Sequence, residues 1–329
     1  MKYNCYHERF NLSEYSFLIT GGAGFIGSNI VEYLVQFKAK KILILDNLST
    51  GYLENIKHFI DLPNVHFVNG DIRSFETCKT ALNGIDFVAH LAALGSVPRS
   101  INDPISSNEV NVGGFLNMMI ASKEEKVKKF VYAASSSTYG DSQILPKREE
   151  LIGVPLSPYA VTKYVNELYA SVFSKVYGFN TIGLRYFNVF GPKQNVNGAY
   201  AAVIPLFITK ILRGNKPVIN GTGMTSRDFT YVSNVVQANI KSLFSDNLNK
   251  DIILNVACGA QTTLLELVDS INQNLGTTII PEFGNFRSGD VMHSLADISR
   301  AKNVIDYIPE ISFTSGIKET ISYFKEKLN

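Results

Sequence analysis

The sequence predicts an α/β protein built on a doubly wound parallel sheet, with a smaller C-terminal α/β unit. Seven short apolar runs, typical of buried strands, alternate with longer stretches of helical spacing. A glycine-rich turn joins the first run to the first helical stretch, and Pro and Gly become frequent after the sixth run. The predicted strands span 17–20, 42–45, 65–68, 87–91, 130–134, 181–185 and 252–256.

The composition is that of an ordinary globular protein. The chain has 329 residues, of which 45% are hydrophobic and 18% charged, and its net charge of +2 gives no sign of nucleic-acid binding. No apolar run is long enough for a membrane span, and we see no signal-peptide core at the N-terminus. The three cysteines and five histidines lack metal-binding spacing. We therefore expect a cytoplasmic protein without a metal site.

A phosphate-binding turn follows the first predicted strand. Gly21, Gly24 and Gly27 form G-x-x-G-x-x-G ahead of a helical pattern that begins at Ser28. Glycines let the backbone approach a pyrophosphate, and a helix N-terminus supplies free N–H groups. Asp46 ends the second strand, where a carboxylate binds ribose hydroxyls, although a simple turn residue is the alternative. Together these residues predict a Rossmann-type site for NAD rather than NADP.

Further candidate cofactor contacts lie at the ends of the other strands. Asp71 could accept a hydrogen bond from the adenine amino group, or it could cap the following helix. Small side chains after the fourth strand leave room for a cofactor, or allow close helix packing. The predicted cofactor-binding residues are Gly21, Gly24, Phe25, Ile26, Gly27, Asp46, Asn47, Asp71, Ile72, Leu91, Ala92, Ala93, Tyr159, Lys163 and Tyr186.

The change in composition after the sixth strand suggests two domains. Two irregular stretches rich in Pro, Gly or polar residues flank a segment that returns to the pattern of the main sheet. We predict an N-terminal extension at 1–14, an NAD-binding Rossmann domain formed by 15–187 and 229–262, and a substrate-binding domain formed by 188–228 and 263–329.

Three residues form a candidate catalytic group. Tyr159 and Lys163 make Tyr-x-x-x-Lys on a predicted helix, so they share one face. A lysine ammonium favours the phenolate and would lower the pKa of the tyrosine toward neutrality, so that the tyrosine can act as a base on a sugar hydroxyl. Ser135 closes the fifth strand at the ligand-binding edge of the sheet, and it would steady the same oxygen; an ordinary serine-rich turn is the alternative.

The glycine turn, Ser135 and Tyr-x-x-x-Lys together resemble the extended short-chain dehydrogenase/reductase family. Segments 93–100, 184–191, 197–205 and 225–229 are similar to those of the bacterial UDP-N-acetylglucosamine 4-epimerases that serve surface polysaccharide synthesis. The resemblance implies an isomerase that interconverts UDP-GlcNAc and UDP-GalNAc through a transient 4-keto sugar. It also implies NAD that stays bound and is regenerated in each cycle.

The resemblance also implies a nucleotide-sugar site. An asparagine and two arginines would hold the diphosphate, an acid would lie near the uridine ribose, and a small residue, Ser294, would leave space for an N-acetyl group. Ser288 and Met292 replace the Glu and Arg of relatives, which leaves the sugar preference open. The implied substrate-binding residues are Gly95, Ser96, Ser135, Ser136, Ser137, Tyr159, Asn188, Ala202, Val203, Arg227, Arg287, Asp290 and Ser294.

Several alternatives stay open at this point. A UDP-glucose or UDP-glucuronate 4-epimerase would need nearly the same site, and Arg227 could simply pair with Asp228. A 4,6-dehydratase is disfavoured because serines stand where its carboxylate pair would lie, and an NAD-sensing regulator is disfavoured because the catalytic group is complete. The resemblance implies a homodimer that pairs helices at 105–122 and 158–177. We expect no nucleic-acid or membrane partner.

Overall fold

Thirteen strands are present in the parts of the chain that the computed structural model describes, which are residues 2–196, 202–246, 250–285 and 292–328. They are β1 (Ser16–Thr20), β2 (Lys41–Asp46), β3 (Val65–Asn69), β4 (Phe87–His90), β5 (Lys129–Ser135), β6 (Thr181–Tyr186), β7 (Val189–Phe190), β8 (Val218–Asn220), β9 (Ser226–Arg227), β10 (Thr230–Tyr231), β11 (Ile252–Val256), β12 (Thr262–Thr263) and β13 (Glu282–Gly284).

The helices of the same residues connect these strands. They are α1 (Phe25–Gln36), α2 (Phe75–Leu82), α3 (Val97–Asn102), α4 (Pro104–Asn108), α5 (Phe115–Glu124), α6 (Pro158–Tyr177), α7 (Val203–Leu212), α8 (Val232–Leu243), α9 (Leu264–Leu275), α10 (Ser299–Ile305) and α11 (Phe313–Leu328). A π-helical turn, Glu109–Gly114, joins α4 to α5, and a 3₁₀ turn, Ser136–Tyr139, follows β5.

Seven of the strands form a parallel sheet in the order β11-β6-β5-β4-β1-β2-β3. They are the seven strands that the apolar runs predict, and the predicted α/β Rossmann fold is confirmed. Successive residues of β1 show why helices cover both faces. Phe17 and Ile19 belong to the core shared with α1 and α8, whereas Leu18 belongs to the core shared with α2, α5 and α6. Side chains alternate across a strand, so both faces of the sheet are buried.

A separate hydrophobic core lies among α7, α9 and α11 and the short strands around them. β8 pairs with β13, and β9 with β12, so segments far apart in sequence meet there. The division into two domains stays a prediction, and one packing fact bears on its boundaries. Ala301, Ile305 and Tyr307 pack into the core of the main sheet, although the predicted substrate domain includes them.

The predicted N-terminal extension is packed onto helix α1. Tyr3 and Leu12 are buried in the main core, and the Tyr33 hydroxyl accepts a 2.8 Å hydrogen bond from the Tyr6 N–H. The same hydroxyl lies 2.6 Å from Nδ1 of His7. Aromatic contacts and hydrogen bonds therefore attach this segment to α1.

In the described residues, every helix is too short or too polar to cross a membrane.

Candidate active site

A cleft of about 500 Å³ opens at the carboxyl edge of the central sheet. It brings together all of the predicted cofactor residues and the catalytic group, namely Gly21, Gly24, Phe25, Ile26, Gly27, Asp46, Asn47, Asp71, Ile72, Leu91, Ala92, Ala93, Ser135, Tyr159, Lys163 and Tyr186. The predicted substrate residues Gly95, Ser96 and Ala202 also line it. Several lining residues were not predicted from the sequence; Ser49, Thr50, Gln194 and Asn195 lie in loops, which carry no periodic signal, and Arg99 lies in the short helix α3.

The glycine turn forms the floor of the cleft. Gly21 has a φ of +66°, and a Cβ there would lie 2.8 Å from the Ala92 nitrogen. A Cβ on Gly27 would lie 2.3 Å from the carbonyl oxygen of Gly21. Within the described residues, no side chain caps the N-terminus of α1, where Gly24 is the N-cap. The turn therefore offers close backbone approach and free N–H groups, which fit the pyrophosphate of a dinucleotide.

Asp46 serves the turn and faces the cleft at the same time. Its Oδ2 accepts from the Ala23 N–H at 3.0 Å, and its Oδ1 accepts from the Leu48 N–H at 2.8 Å. Burial raises the pKa of this carboxyl group, and the two N–H donors oppose that effect. Each oxygen retains a second lone pair for a ribose hydroxyl. The two interpretations of Asp46, turn residue and ribose ligand, are therefore compatible.

Asp71 does not cap the helix that follows it. Ser74 is the N-cap of α2 and accepts from the Thr77 N–H. The carboxylate of Asp71 instead accepts from the Arg73 side chain, at 2.8 Å from Nη2, and from Asn47 Nδ2 at 3.0 Å. These hydrogen bonds, Arg73 first, lower its pKa to about 2. Asp71 is thus an ionised acceptor at the edge of the cleft.

Ser135, Tyr159 and Lys163 meet at one end of the cleft. Ser135 ends β5, and its Oγ accepts from Ser137 Oγ at 2.8 Å. Tyr159 and Lys163 lie one turn apart on α6, with Lys163 Nζ 6.0 Å from the centre of the tyrosine ring. Lys163 Nζ also donates to the Ala133 carbonyl at 2.8 Å, which fixes the ammonium beside the sheet edge.

The electrostatics of this group depend on burial. Burial raises the pKa of Tyr159, and a hydrogen bond with Ser135 opposes the rise. Burial lowers the pKa of Lys163 to about 8, and the charge of Glu167 opposes that fall. From the sequence, Lys163 was expected to lower the pKa of Tyr159 toward neutrality. The protein groups alone do not produce this shift. Desolvation disfavours both the phenolate and the ammonium form, and further positive charge in the cleft would favour the phenolate.

Two buried polar residues fix the position of helix α6, which carries Tyr159 and Lys163. The Asn111 side chain donates to the Leu94 carbonyl at 3.2 Å and to Thr162 Oγ1 at 3.1 Å. Ser100 Oγ accepts from the Tyr159 N–H at 3.0 Å. Sequence analysis missed both, because a single Asn or Ser in a helical stretch carries no distinctive pattern.

Three of the other predicted substrate residues, Asn188, Arg227 and Ser294, contact the backbone of the segment 226–228. Asn188 Nδ2 donates to the Asp228 carbonyl at 3.3 Å, and Arg227 Nη1 donates to the Ser226 carbonyl at 2.9 Å. The Ser294 N–H donates to that same Ser226 carbonyl. The Asp228 carboxylate is engaged elsewhere, by backbone N–H groups that include those of Cys258, Gly259 and Ala296. Ser136 and Ser137 lie in the turn after β5, Val203 begins α7, and Arg287 and Asp290 lie outside the described residues.

A model of the NAD dependent epimerase/dehydratase family matches residues 17–257. The chain belongs to this family. The UDP-N-acetylglucosamine 4-epimerase of Methanobrevibacter ruminantium M1, solved with UDP-N-acetylmuramic acid, is 40% identical with a TM-score of 0.90, and the match covers 95% of this chain and 99% of that one. These findings confirm the resemblance to the extended short-chain dehydrogenases/reductases.

Two further relatives extend the range of sugars. The UDP-glucose 4-epimerase of Thermus thermophilus, solved with NAD, is 33% identical with a TM-score of 0.84, covering 94% of this chain and 99% of that one. The UDP-glucuronate 4-epimerase of Thermodesulfobacterium geofontis is 35% identical over 322 residues, 95% of this chain and 97% of that protein. The present protein, as a member of this family, uses NAD as its cofactor, and its glycine turn fits NAD.

A polar contact between two loops crosses the cofactor side of the cleft. Asn195 Nδ2 donates to the Tyr52 hydroxyl at 2.7 Å, and the Tyr52 N–H donates to the Ala23 carbonyl of the glycine turn. The Asn195 loop is anchored to α1 by the ion pair between Lys193 and Glu32, at 2.6 Å. We call this Asn195–Tyr52 contact the clasp. It connects the glycine turn to the loop after β7.

Among the described residues, no group of three or more His, Cys, Asp or Glu side chains is placed to hold a metal ion. The absence of a metal site stays a prediction.

Proposed function

We propose that this protein epimerises UDP-N-acetylhexosamines at C4, interconverting UDP-GlcNAc and UDP-GalNAc for surface polysaccharide synthesis. The observation that carries the proposal is the meeting of Ser135, Tyr159 and Lys163 with the glycine turn in one cleft. A base, a hydroxyl donor and a dinucleotide site in one cavity suit reversible oxidation of a sugar alcohol.

Each catalytic residue has a defined task in the proposed reaction. Tyr159, as phenolate, removes the proton from the sugar O4, and Ser135 donates a hydrogen bond to that oxygen. Lys163 stays charged and favours the phenolate. The glycine turn, Asp46 and Tyr186 would hold NAD, which would supply the hydride acceptor for C4 and the hydride donor for the return transfer, and whose nicotinamide ring would add positive charge to the cleft. Tyr159 then returns the proton to O4, so the net change is inversion at C4.

The 4-keto sugar must turn over between the two halves of the reaction while its nucleotide stays bound. Arg227 and Asn188 are suited to hold a diphosphate, because guanidinium and amide groups donate to phosphate oxygens. Arg287 is proposed to complete that clamp, Asp290 to lie near the uridine ribose, and Ala202 and Val203 to line the uracil pocket. A tight grip on the diphosphate with few contacts to the sugar would permit the rotation.

The preference for an acetamido sugar rests on space. A Cβ built on Gly95 meets no atom within 4 Å, so the wall beside the catalytic group is open there. Ser294 is small, and the hydrogen bond of its N–H to Ser226 fixes it next to Arg227. The similarity to the M. ruminantium enzyme supports the same preference.

The decisive experiment is incubation of the purified chain, without added NAD, with UDP-GlcNAc, UDP-GalNAc, UDP-Glc, UDP-Gal and UDP-GlcA. Product analysis by chromatography and NMR should show fastest interconversion of the N-acetylated pair. Faster turnover of UDP-Glc or UDP-GlcA would replace the proposed substrate with those of the other relatives. Tyr159→Phe should retain NAD and lose about 100-fold or more in turnover; near-normal turnover would refute the assigned base.

We further propose that the protein forms a homodimer through α6 and the α4–α5 segment. Val161, Leu168, Val172 and Val176 form an apolar row along α6, each about half exposed or more, and Ile105 is 71% exposed nearby on α4. Such a row is typical of an interface. In analytical ultracentrifugation, Val172→Glu should shift the wild-type dimer to monomer.

Ile308→Glu, at another exposed apolar residue, is the control and should leave the dimer intact. A wild-type monomer would contradict the proposed homodimer.

A further inference from the structure

A buried ion pair lies directly behind the catalytic group. Arg185 of β6 contacts Glu167 of α6 through two hydrogen bonds, Nε to Oε1 at 2.9 Å and Nη2 to Oε2 at 2.7 Å. The side chains are only 2% and 6% exposed. A buried pair gives little net stability over apolar residues of the same size, because desolvation offsets the attraction. Stability alone therefore does not explain why this ion pair lies behind the catalytic group.

Glu167 lies on the same face of α6 as the catalytic residues. Tyr159, Lys163 and Glu167 are spaced four residues apart, so their side chains follow one another along that face. Glu167 is hydrogen-bonded to Arg185, and its charge opposes the fall in the pKa of Lys163 that burial causes. The carboxylate thus acts on Lys163 without contacting the cleft.

The pair also joins three elements that carry the site. Thr138 Oγ1, in the turn that begins after Ser135, donates to Glu167 Oε1 at 3.5 Å. Arg185 immediately precedes Tyr186, which lines the cleft, and Ser135 and Tyr186 are neighbours in the β5–β6 register.

The far side of the Arg185 guanidinium is also fixed. It donates to the Glu149 carbonyl at 3.0 Å and stacks over the Tyr139 ring at 4.7 Å.

We propose that the Glu167–Arg185 pair is a positioning element for the catalytic group: it fixes α6 against β6 and the Ser135 turn, and its carboxylate keeps Lys163 in the charged form that supports the Tyr159 phenolate. This inference rests on the proposed function for its kinetic consequences, but the state of Lys163 can be measured without turnover.

Three other titratable groups around the pair, His90, Tyr139 and Tyr132, are neutral near pH 7. Burial lowers the pKa of His90, which faces Lys163 from β4, to about 3. Burial raises the pKa of Tyr139 to about 12 and that of Tyr132, which faces Glu167 from β5, well above its usual value. Asp251 acts on Tyr132, and the carboxyl group of Glu149 acts on Arg185 from its other side. Glu167 is therefore the carboxylate that faces Lys163 on its own helix.

The test measures Lys163 directly. Trace acetylation with acetic anhydride over a pH series, followed by peptide mass spectrometry, reports the deprotonated fraction of Lys163 with NAD bound. In Glu167→Gln the midpoint should fall by about 0.5–1 pH unit, because the favourable charge is lost. In Arg185→Met it should rise, because the carboxylate is no longer compensated. Opposite shifts are the signature of a charge effect, since loosened packing would move both variants in the same direction.

The pH profile of kcat/KM provides the second readout. The limb of the profile that reports deprotonation of Lys163 should shift to lower pH in Glu167→Gln and to higher pH in Arg185→Met. In Glu167→Asp it should lie at the wild-type position. Glu149→Gln is the matched control: it neutralises a buried carboxyl group on the other side of Arg185 and should leave Lys163 unchanged.

The double variant Glu167→Gln/Arg185→Gln controls for misfolding of the single variants, because neither Glu167 nor Arg185 is then left as an unpaired buried charge. It should fold, and its Lys163 midpoint should fall by less than in Glu167→Gln. An unchanged Lys163 midpoint in folded Glu167→Gln, or in the folded double variant, overturns the inference. Failure of wild-type turnover with every UDP-sugar would instead count against the proposed function, and the acetylation series would still decide this inference.

Discussion

Replacement of Gly27 by alanine should release NAD without touching any catalytic residue. The new Cβ would lie 2.3 Å from the Gly21 carbonyl oxygen and 2.7 Å from the Gly22 Cα. Both are backbone atoms, so no side chain can turn aside. The glycine turn would have to withdraw from α1 by about 1 Å to reach ordinary contact.

The size of the effect follows from that displacement. Overpacking of this kind costs about 1–3 kcal/mol, which corresponds to a fall in Tm of roughly 2–4 °C per kcal/mol for a protein of this size or somewhat smaller. A misplacement of about 1 Å can lower the rate of an enzyme by up to about 100-fold. We therefore expect NAD affinity to fall by about 10- to 100-fold, because the moved atoms lie where the pyrophosphate must approach.

The assay is the NAD content of the purified protein, with the dissociation constant from calorimetry and Tm from thermal unfolding. Gly113→Ala is the matched control, since a Cβ there meets no atom within 4 Å. It should retain NAD and the wild-type Tm. Gly27→Ala protein that copurifies with a full complement of NAD and unfolds at the wild-type temperature would refute the reasoning.

Three further outcomes are expected. Tyr52→Phe removes the clasp hydroxyl and should speed NAD release severalfold in a stopped-flow exchange assay; an unchanged rate would show that the clasp does not retain the cofactor. Tyr33→Phe removes the hydroxyl that pairs with the Tyr6 N–H and with Nδ1 of His7, and it should lower the free energy of unfolding by about 1–3 kcal/mol in chemical denaturation with kcat unchanged. Because burial lowers the pKa of His90 to about 3, stability should fall as pH decreases from about 6.5 toward 3, and His90→Asn should flatten that slope.

The sequence was sufficient wherever local pattern and chemistry coincide. The seven apolar runs correspond to the seven sheet strands because six of these strands are buried on both faces, so that hydrophobicity alone marks them; the edge strand β3 is partly exposed. Gly21, Gly24 and Gly27 predicted the cofactor turn, because only glycine permits such close contact between backbone segments. Tyr159 and Lys163 could be paired from their spacing, since a helix fixes which residues share a face.

Contacts between distant segments could not be predicted in this way. The residues before Tyr15 were predicted to be a polar extension, and the packing of Tyr3 and His7 against Tyr33 could not be read from their composition. The pKa values of Tyr159 and Lys163 depend on desolvation, which no spacing reports.

By itself, then, the sequence determined the sheet, the NAD turn and the placement of Tyr159 and Lys163 on one helix face, because those features are local. Only the tertiary structure decided which buried charges surround them, because Glu167 and Arg185 meet across a helix and a strand.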